Sequence, residues 1–283
     1  MPESDISKCK KRGVFLNILV FMKQVPDTTE IKIDPVTKTL IRAGVPSIVN
    51  PFDAFALELA VRAKEAVGGE ITLVSMGPAQ AKEALKECLA VGADKAYLVT
   101  DRKFGGSDTL ATSYILSTAV KKLEAVTGAK YDLIFCGNQA IDGDTGQVGP
   151  EVAEHLGYGQ VTYVTDLTVE EGAVLATRDT DEGHDVIRVS FPAVITVTKT
   201  NYPPRFASVR GKMFANRAVI EEMTFADVED MIDPARIGLT GSATKVVKTF
   251  TPDLRGGGLV IQESDPDTAA KQLVDVLIGE KLI

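Results

Sequence analysis

The chain has 283 residues, 45% apolar and 25% charged, long enough to bury a sizeable core in one large or two small domains, so disordered, fibrous and mini-protein readings are excluded. Its 31 basic and 39 acidic residues leave a formal charge of −8, the wrong sign for a general nucleic-acid binder that must neutralise phosphates. Three cysteines (Cys9, Cys88, Cys136) without a CxxC and two histidines (His155, His184) leave almost no metal-ligand set and fit a reduced, cytoplasmic compartment.

The opening segment, MPESDISKCKKRGVF, is basic in its middle but has neither an apolar h-region nor a small-residue cleavage site, so residues 1–15 are expected as a disordered extension and not a signal peptide. Lys10-Lys11-Arg12-Gly13 can be encoded by a purine-rich, ribosome-binding-like stretch and Leu16 by a UUG start, which predicts a native chain that begins at residue 16 and is testable by its intact mass. The apolar stretch 14–22, interrupted by Asn17, is about half the ~18 to 20 residues a bilayer span needs, so no membrane span is expected.

Residues 16–22 (LNILVFM) form a continuous apolar run typical of a buried parallel strand, and similar runs follow at 71–76, 96–100 and 133–136. Helical patterns lie between them. Asn50 is a candidate N-cap with Pro51 at the first position, and Phe52, Phe55, Leu59 and Ala63 follow at helical spacing before Gly68-Gly69. A second helix is predicted from Pro78 to about Val91, a third after a Ser107 or Asp108 cap, and a fourth over about 146–156. Serial βα units imply a parallel sheet with helices on both faces. After residue 158 the period changes to 2, and the segments 161–169, 173–178, 186–190 and 194–198 read as antiparallel strands that extend the same sheet or form a small flap. From Pro203 the periodicity weakens, until Asp265-Pro266 caps a final amphipathic helix to about Ile278. The predicted fold is an α/β, parallel-sheet, Rossmann-like core over 16–225 with an antiparallel extension, plus a C-terminal arm over 226–283 that lies on a partner.

Open α/β sheets bind ligands beyond the carboxyl ends of their strands. Four loops there carry special residues. They are Lys23-Gln24-Val25-Pro26-Asp27, Gly77-Pro78-Ala79-Gln80, the stretch from Asp101 through Gly105-Gly106-Ser107-Asp108-Thr109, and Gly137-Asn138-Gln139-Ala140-Ile141-Asp142-Gly143-Asp144-Thr145-Gly146-Gln147. Each reads equally as an ordinary βα loop, but together they argue for a nucleotide-sized site. The fourth ends at a helix N-terminus, where free N–H groups and the positive dipole end suit a phosphate, with Thr145 and Gln147 as further donors. Asp142 and Asp144 oppose an anion and are expected to bond backbone or sugar hydroxyls. No GxGxxG follows the first strand and no GxxxxGK[ST] occurs, so neither the dinucleotide fingerprint nor the P-loop applies. His155 reads as a packing residue, His184 as a turn residue, and no nucleophilic triad can be assembled.

The segments ILVFMKQVPDT, NPFDAFALELAVRAKE, LVSMGPAQAKEAL, VGADKAYLV, CGNQAIDGDTGQVGP and RDTDEGHDVIRVSFPAVIT closely resemble the β subunit of electron-transferring flavoproteins, over residues 16 to about 225 and more loosely beyond. In the last segment Asp185 stands where Glu or Gln is usual. The resemblance implies an adenine nucleotide α-hydrolase-like fold and an α subunit carrying an FAD. It also implies a nucleotide touching Phe21 and Lys23, Asn50, Pro51, Phe52 and Asp53, Met76 in place of a frequent Cys, and Gly137 through Val148.

That nucleotide is AMP in respiratory-type members. In electron-bifurcating members it is a second FAD reduced by NADH, with one electron sent to ferredoxin or flavodoxin and the other, through the α-subunit FAD, to an acyl-CoA dehydrogenase-like or lactate dehydrogenase-like flavoenzyme. The stretch DRKFGGSDTLATS looks like the bifurcating kind and makes Asp101, Gly105, Gly106, Ser107, Asp108 and Thr109 candidates toward NAD(H). Asp179 matches an acidic residue that pairs with the α subunit, and Val209 stands at the anchor position of a partner-docking loop, where Leu is usual. The resemblance implies no acid or base catalyst and no metal, because the flavins carry the electrons. A free-standing nucleotide-binding regulator shares such a core but needs no C-terminal arm.

Overall fold

The apolar run Leu16–Phe21 (β1) sits at the centre of a computed structural model that describes residues 15–27, 46–247 and 258–283. Expectations on residues 1–14 lie outside the described residues. The described residues form two units, 15–27 with 46–247, and 258–283.

After β1 come the short antiparallel pair Gln24–Pro26 (β2) and Ser47–Val49 (β3), then helix Pro51–Val67 (α1), Gly69–Met76 (β4), Lys82–Val91 (α2), Lys95–Val99 (β5), Thr109–Thr127 (α3), Leu133–Gly137 (β6) and Val148–Leu156 (α4). The chain continues through Gly159–Glu170 (β7), Ala173–Thr180 (β8), Gly183–Ser190 (β9), Ala193–Val197 (β10), Val209–Arg217 (α5), Glu221–Met223 (β11), Phe225–Val228 (α6) and Gly238–Gly241 (α7). One nine-stranded sheet runs in the order β11-β5-β4-β1-β6-β10-β7-β8-β9. Neighbours from β11 to β7 pair in parallel, and β8 and β9 add an antiparallel hairpin. The fold is thus the expected α/β sheet with an antiparallel extension.

β10 corrects the antiparallel reading of its segment. It pairs in parallel with β6 on one side and β7 on the other, and all five of its residues are buried. A strand covered on both faces needs a continuous apolar run, and AVITV is one; the alternating strands before it obscure this in the sequence.

Alternation along the strands divides the core in two. Ile18 and Val20 face α1 and α2 with Leu57, Leu85 and Leu89, whereas Leu19 and Phe21 face α3 and α4 with Ile115, Val120 and Val152. The boundary placed after residue 225 does not separate two bodies. Phe225, Val228, Ile232 and Ile237 are buried in the second core, and β11 is the edge strand beside β5, so the first unit continues to Val247. The final helix, Pro266–Gly279 (α8), belongs to the second unit; the Thr268 N–H donates to its Asp265 cap at 3.1 Å, and Leu273, Val274 and Ile278 stay half exposed.

Candidate functional site

Asn50 precedes α1 but does not cap it with its side chain. Its amide spans to the fourth loop: Nδ2 donates to Gln139 O at 2.9 Å and Oδ1 accepts the Ile141 N–H at 3.2 Å. One turn on, the buried Asp53 accepts the Lys23 N–H at 2.7 Å and the Gly137 N–H at 2.8 Å, one on each oxygen. Burial pushes the Asp53 carboxyl up to about 6, while these two N–H groups, the Asn50 side chain and the Lys23 charge pull the other way. Lys23 Nζ reaches Asp142 Oδ1 at 2.7 Å, and Gln139 Nε2 donates to Asp144 at 3.0 Å. Each of these exposed aspartates thus has one oxygen engaged by a side chain of the same site.

The fourth loop turns tightly, with Ala140 O accepting the Gly143 and Asp144 N–H groups at 3.2 and 2.8 Å. Asp144 (φ 49°) and Gly146 (φ 65°) then take the left-handed conformation that swings the backbone into α4. Among the described residues, the N–H groups of 145–149 find no hydrogen-bond partner. A Cβ at Gly143 would meet nothing within 4 Å, so the space over the turn is open. Open space beside five unsatisfied donors at a positive helix end fits the phosphate part of a nucleotide. Gly149, which the sequence pattern alone does not single out, lets α4 lie on β6 and β10: a Cβ there would come within 2.5 Å of Thr196 Cγ2 and 2.9 Å of Cys136 Sγ. The GQVGP spacing at a helix start is the signal that points to it.

Phe21 is buried in the second core and Met76 packs against it, so at the ends of β1 and β4 they offer a ligand main chain more than side chain. Pro51, Phe52, Asn138, Thr145 and Val148 stand around the same carboxyl ends; the Asn138 N–H donates to Val197 O at 2.7 Å.

The third loop is occupied by its own chain. Asp101 accepts the Lys103 and Phe225 N–H groups at 2.9 and 3.1 Å. Ser107 Oγ accepts the Gly238 N–H at 3.1 Å, and Asp108 caps α3 through the Ala111 N–H at 3.0 Å while accepting the Thr244 N–H at 2.8 Å. The buried Ser242 hydroxyl takes the Asp108 N–H at 2.8 Å. A Cβ on Gly106 would lie 2.6 Å from Leu239, so the close approach this glycine permits is to α7. A Cβ on Gly105 would lie 3.2 Å from Arg102 O, within the same loop. Thr109 alone of the six reaches the fourth loop, donating to Gln147 Oε1 at 3.0 Å.

Of the docking candidates, Asp179 lies on β8 opposite His184, whose Nδ1 is 2.8 Å from its Oδ1. Val209 opens α5 and is 78% exposed, beside Phe206 at 98%. Arg205 anchors this segment, with Nε 2.8 Å from the buried Glu58 and Nη1 2.6 Å from Glu65. Among the described residues no group of three or more His, Cys, Asp or Glu is placed to hold a metal, and no helix is long and apolar enough to cross a membrane.

A family model described as "Electron transfer flavoprotein domain" matches residues 37–228. The chain belongs to this family. Within electron transfer flavoproteins it is 52% identical over 272 residues to the "Electron transfer flavoprotein subunit beta" of Megasphaera elsdenii, covering 95% of this chain and 100% of that one. The "Caffeyl-CoA reductase-Etf complex subunit CarD" of Acetobacterium woodii is 45% identical over 269 residues, 95% of this chain and 100% of that one. The "Protein FixA" of Bradyrhizobium diazoefficiens is 42% identical over 264 residues, 92% of this chain and 90% of that one. The likeness runs along nearly the whole length of each of these relatives.

Proposed function

We propose that this chain is the β subunit of a heterodimeric, cytoplasmic electron transfer flavoprotein that binds FAD at the carboxyl ends of β1, β4 and β6 and takes electrons from NADH. It divides them between ferredoxin or flavodoxin and, through the α-subunit FAD, an acyl-CoA dehydrogenase-like or lactate dehydrogenase-like flavoenzyme. The observation that carries this reading is the fourth loop, where unpartnered N–H groups at the start of α4 face open space. When bound, FAD supplies the one- and two-electron chemistry.

The chain's own residues hold and orient. The N–H groups of 145–149 receive the phosphates. Asp53 and Asn50 fasten α1 to the loops after β1 and β6, so that the receiving backbone is fixed before ligand arrives. Thr109 joins the third loop to the fourth, and Asp101, Gly105, Gly106, Ser107 and Asp108 hold that loop's shape for NAD(H). Asp179 faces the α subunit, and Val209 with Phe206 enters the dehydrogenase. Support for division of electrons comes from likeness to a subunit named for a caffeyl-CoA reductase complex.

The reading is tested with the purified complex, NADH, ferredoxin and a dehydrogenase partner under anaerobic conditions. Ferredoxin is expected to be reduced only while the dehydrogenase substrate is also being reduced. NADH oxidation that never reduces ferredoxin would overturn electron division.

A further inference from the structure

The proposed cradle has a carboxylate beside it that makes no ion pair among the described residues. Glu151 stands in the first turn of α4, two residues after the last of the N–H groups of 145–149. The N-terminus of α3 packs against it, and the Thr109 hydroxyl lies 3.0 Å from Gln147 Oε1 and 3.3 Å from Glu151 Oε1. Thr109 has one hydrogen and can serve only one of these two acceptors. The second carboxylate oxygen, Oε2, is buried, and the Ser113 hydroxyl beside the carboxyl already gives its one hydrogen to Leu110 O at 2.9 Å.

An ionised Glu151 is poorly served by this arrangement. Burial pushes its carboxyl above the ordinary range, Asp108 on the facing turn adds to that, and the Ser113 and Thr109 hydroxyls draw it back. On α4 itself the next titratable group along this side is His155, whose ring packs edge-on against Tyr114 of α3 at 5.7 Å. A helix N-terminus normally compensates a carboxylate in its first turn. That compensation is lost when a second anion takes the same N–H groups.

We propose that Glu151 is a positioning residue that takes up a proton when an anionic nucleotide binds at the start of α4. The proton comes from solvent. Protonated Glu151 then donates to Thr109 Oγ1, Thr109 donates to Gln147 Oε1, and the Gln147 amide is locked with Nε2 turned away from Thr109 as a free donor. Thr109 thereby reports the charge of one loop to the next. This inference rests on the reading that the nucleotide phosphates sit at the start of α4.

FAD is the probe, because its pyrophosphate charges do not titrate near neutral pH. The nucleotide-stripped complex of the full chain with its α subunit is titrated with FAD as the pH is lowered, wild type beside Glu151→Gln, with the Gly143→Val complex as the blank for binding elsewhere. Affinity should rise more steeply in the wild type, by up to about tenfold per pH unit. Asp53, which titrates at about 6, contributes a slope common to both proteins. Calorimetry in buffers of different ionisation enthalpy should show less proton uptake in Glu151→Gln, by up to about one proton per FAD. Thr109→Val, which removes the acceptor of the Glu151 proton, should shrink the extra slope, and Thr109→Ser should restore it. Equal slopes and equal proton uptake in wild type and Glu151→Gln would overturn the proposal and leave the nucleotide site standing. FAD binding that Gly143→Val does not weaken would overturn the site, and the proposal with it.

Discussion

The carboxylate of Asp53 accepts the Gly137 N–H at 2.8 Å and so ties the first turn of α1 to the end of β6. The tie leaves no room at residue 137. A Cβ there would lie 2.5 Å from Asp53 Oδ1 and 2.6 Å from Phe52 Cβ. Gly137→Ala should cost about 1–3 kcal/mol through overpacking, read as a lower denaturant midpoint. An unchanged midpoint would mean that α1 and β6 are not held together in this way.

Asp53 also sets a pH dependence. Its carboxyl is raised from 3.8 to about 6 by burial, so the folded protein holds that proton more tightly than the unfolded chain. The associated stability is complete below pH 3.8 and is lost as pH rises through about 6. The rise from 3.8 to about 6 corresponds to about 3 kcal/mol. Denaturant unfolding between these pH values should show the decline in wild type, and Asp53→Asn should remove that part of it.

Ser242 is the pin of the third loop. Its buried hydroxyl takes the Asp108 N–H at 2.8 Å and lies 2.7 Å from Gly238 O. Ser242→Ala orphans the Asp108 N–H, at a cost of about 1–3 kcal/mol. Hydrogen exchange should quicken at 106–109 while β1 and β6 keep their protection. Unaltered exchange there would show that the loop holds its shape without α7.

Gly143→Val separates fold from ligand. Nothing lies within 4 Å of a Cβ at this position and its φ is not left-handed, so the variant should unfold at the wild-type midpoint. Nucleotide retention should nevertheless be lost, as measured by release of bound nucleotide on acid treatment. Full retention would place the nucleotide elsewhere.

Much of this molecule is legible from local pattern. The runs LNILVF and LIFCG have no polar interruption long enough to be anything but covered strands, and Asn50-Pro51 marks the start of α1 correctly. The fourth loop is legible because glycines, a turn and a helix start fall within a dozen residues of one another. What is hidden depends on distant contacts. Gly106 reads as room for a ligand, yet Leu239 fills that room from the far end of the chain. The side chain of Asn50 reads as a cap, yet it bonds Gln139 and Ile141 about ninety residues away. β11 is three residues with two glutamates, too short and polar to announce itself as the edge of a parallel sheet. Glu151 looks like any helix surface acid until α3 is laid against it.

The central claim is that this chain holds a redox-active flavin of its own. It is tested most directly by purifying the complex of this chain with its α subunit, releasing all nucleotides in acid and counting them by chromatography. Two FAD per heterodimer and no AMP is the predicted result; one FAD with one AMP would contradict it.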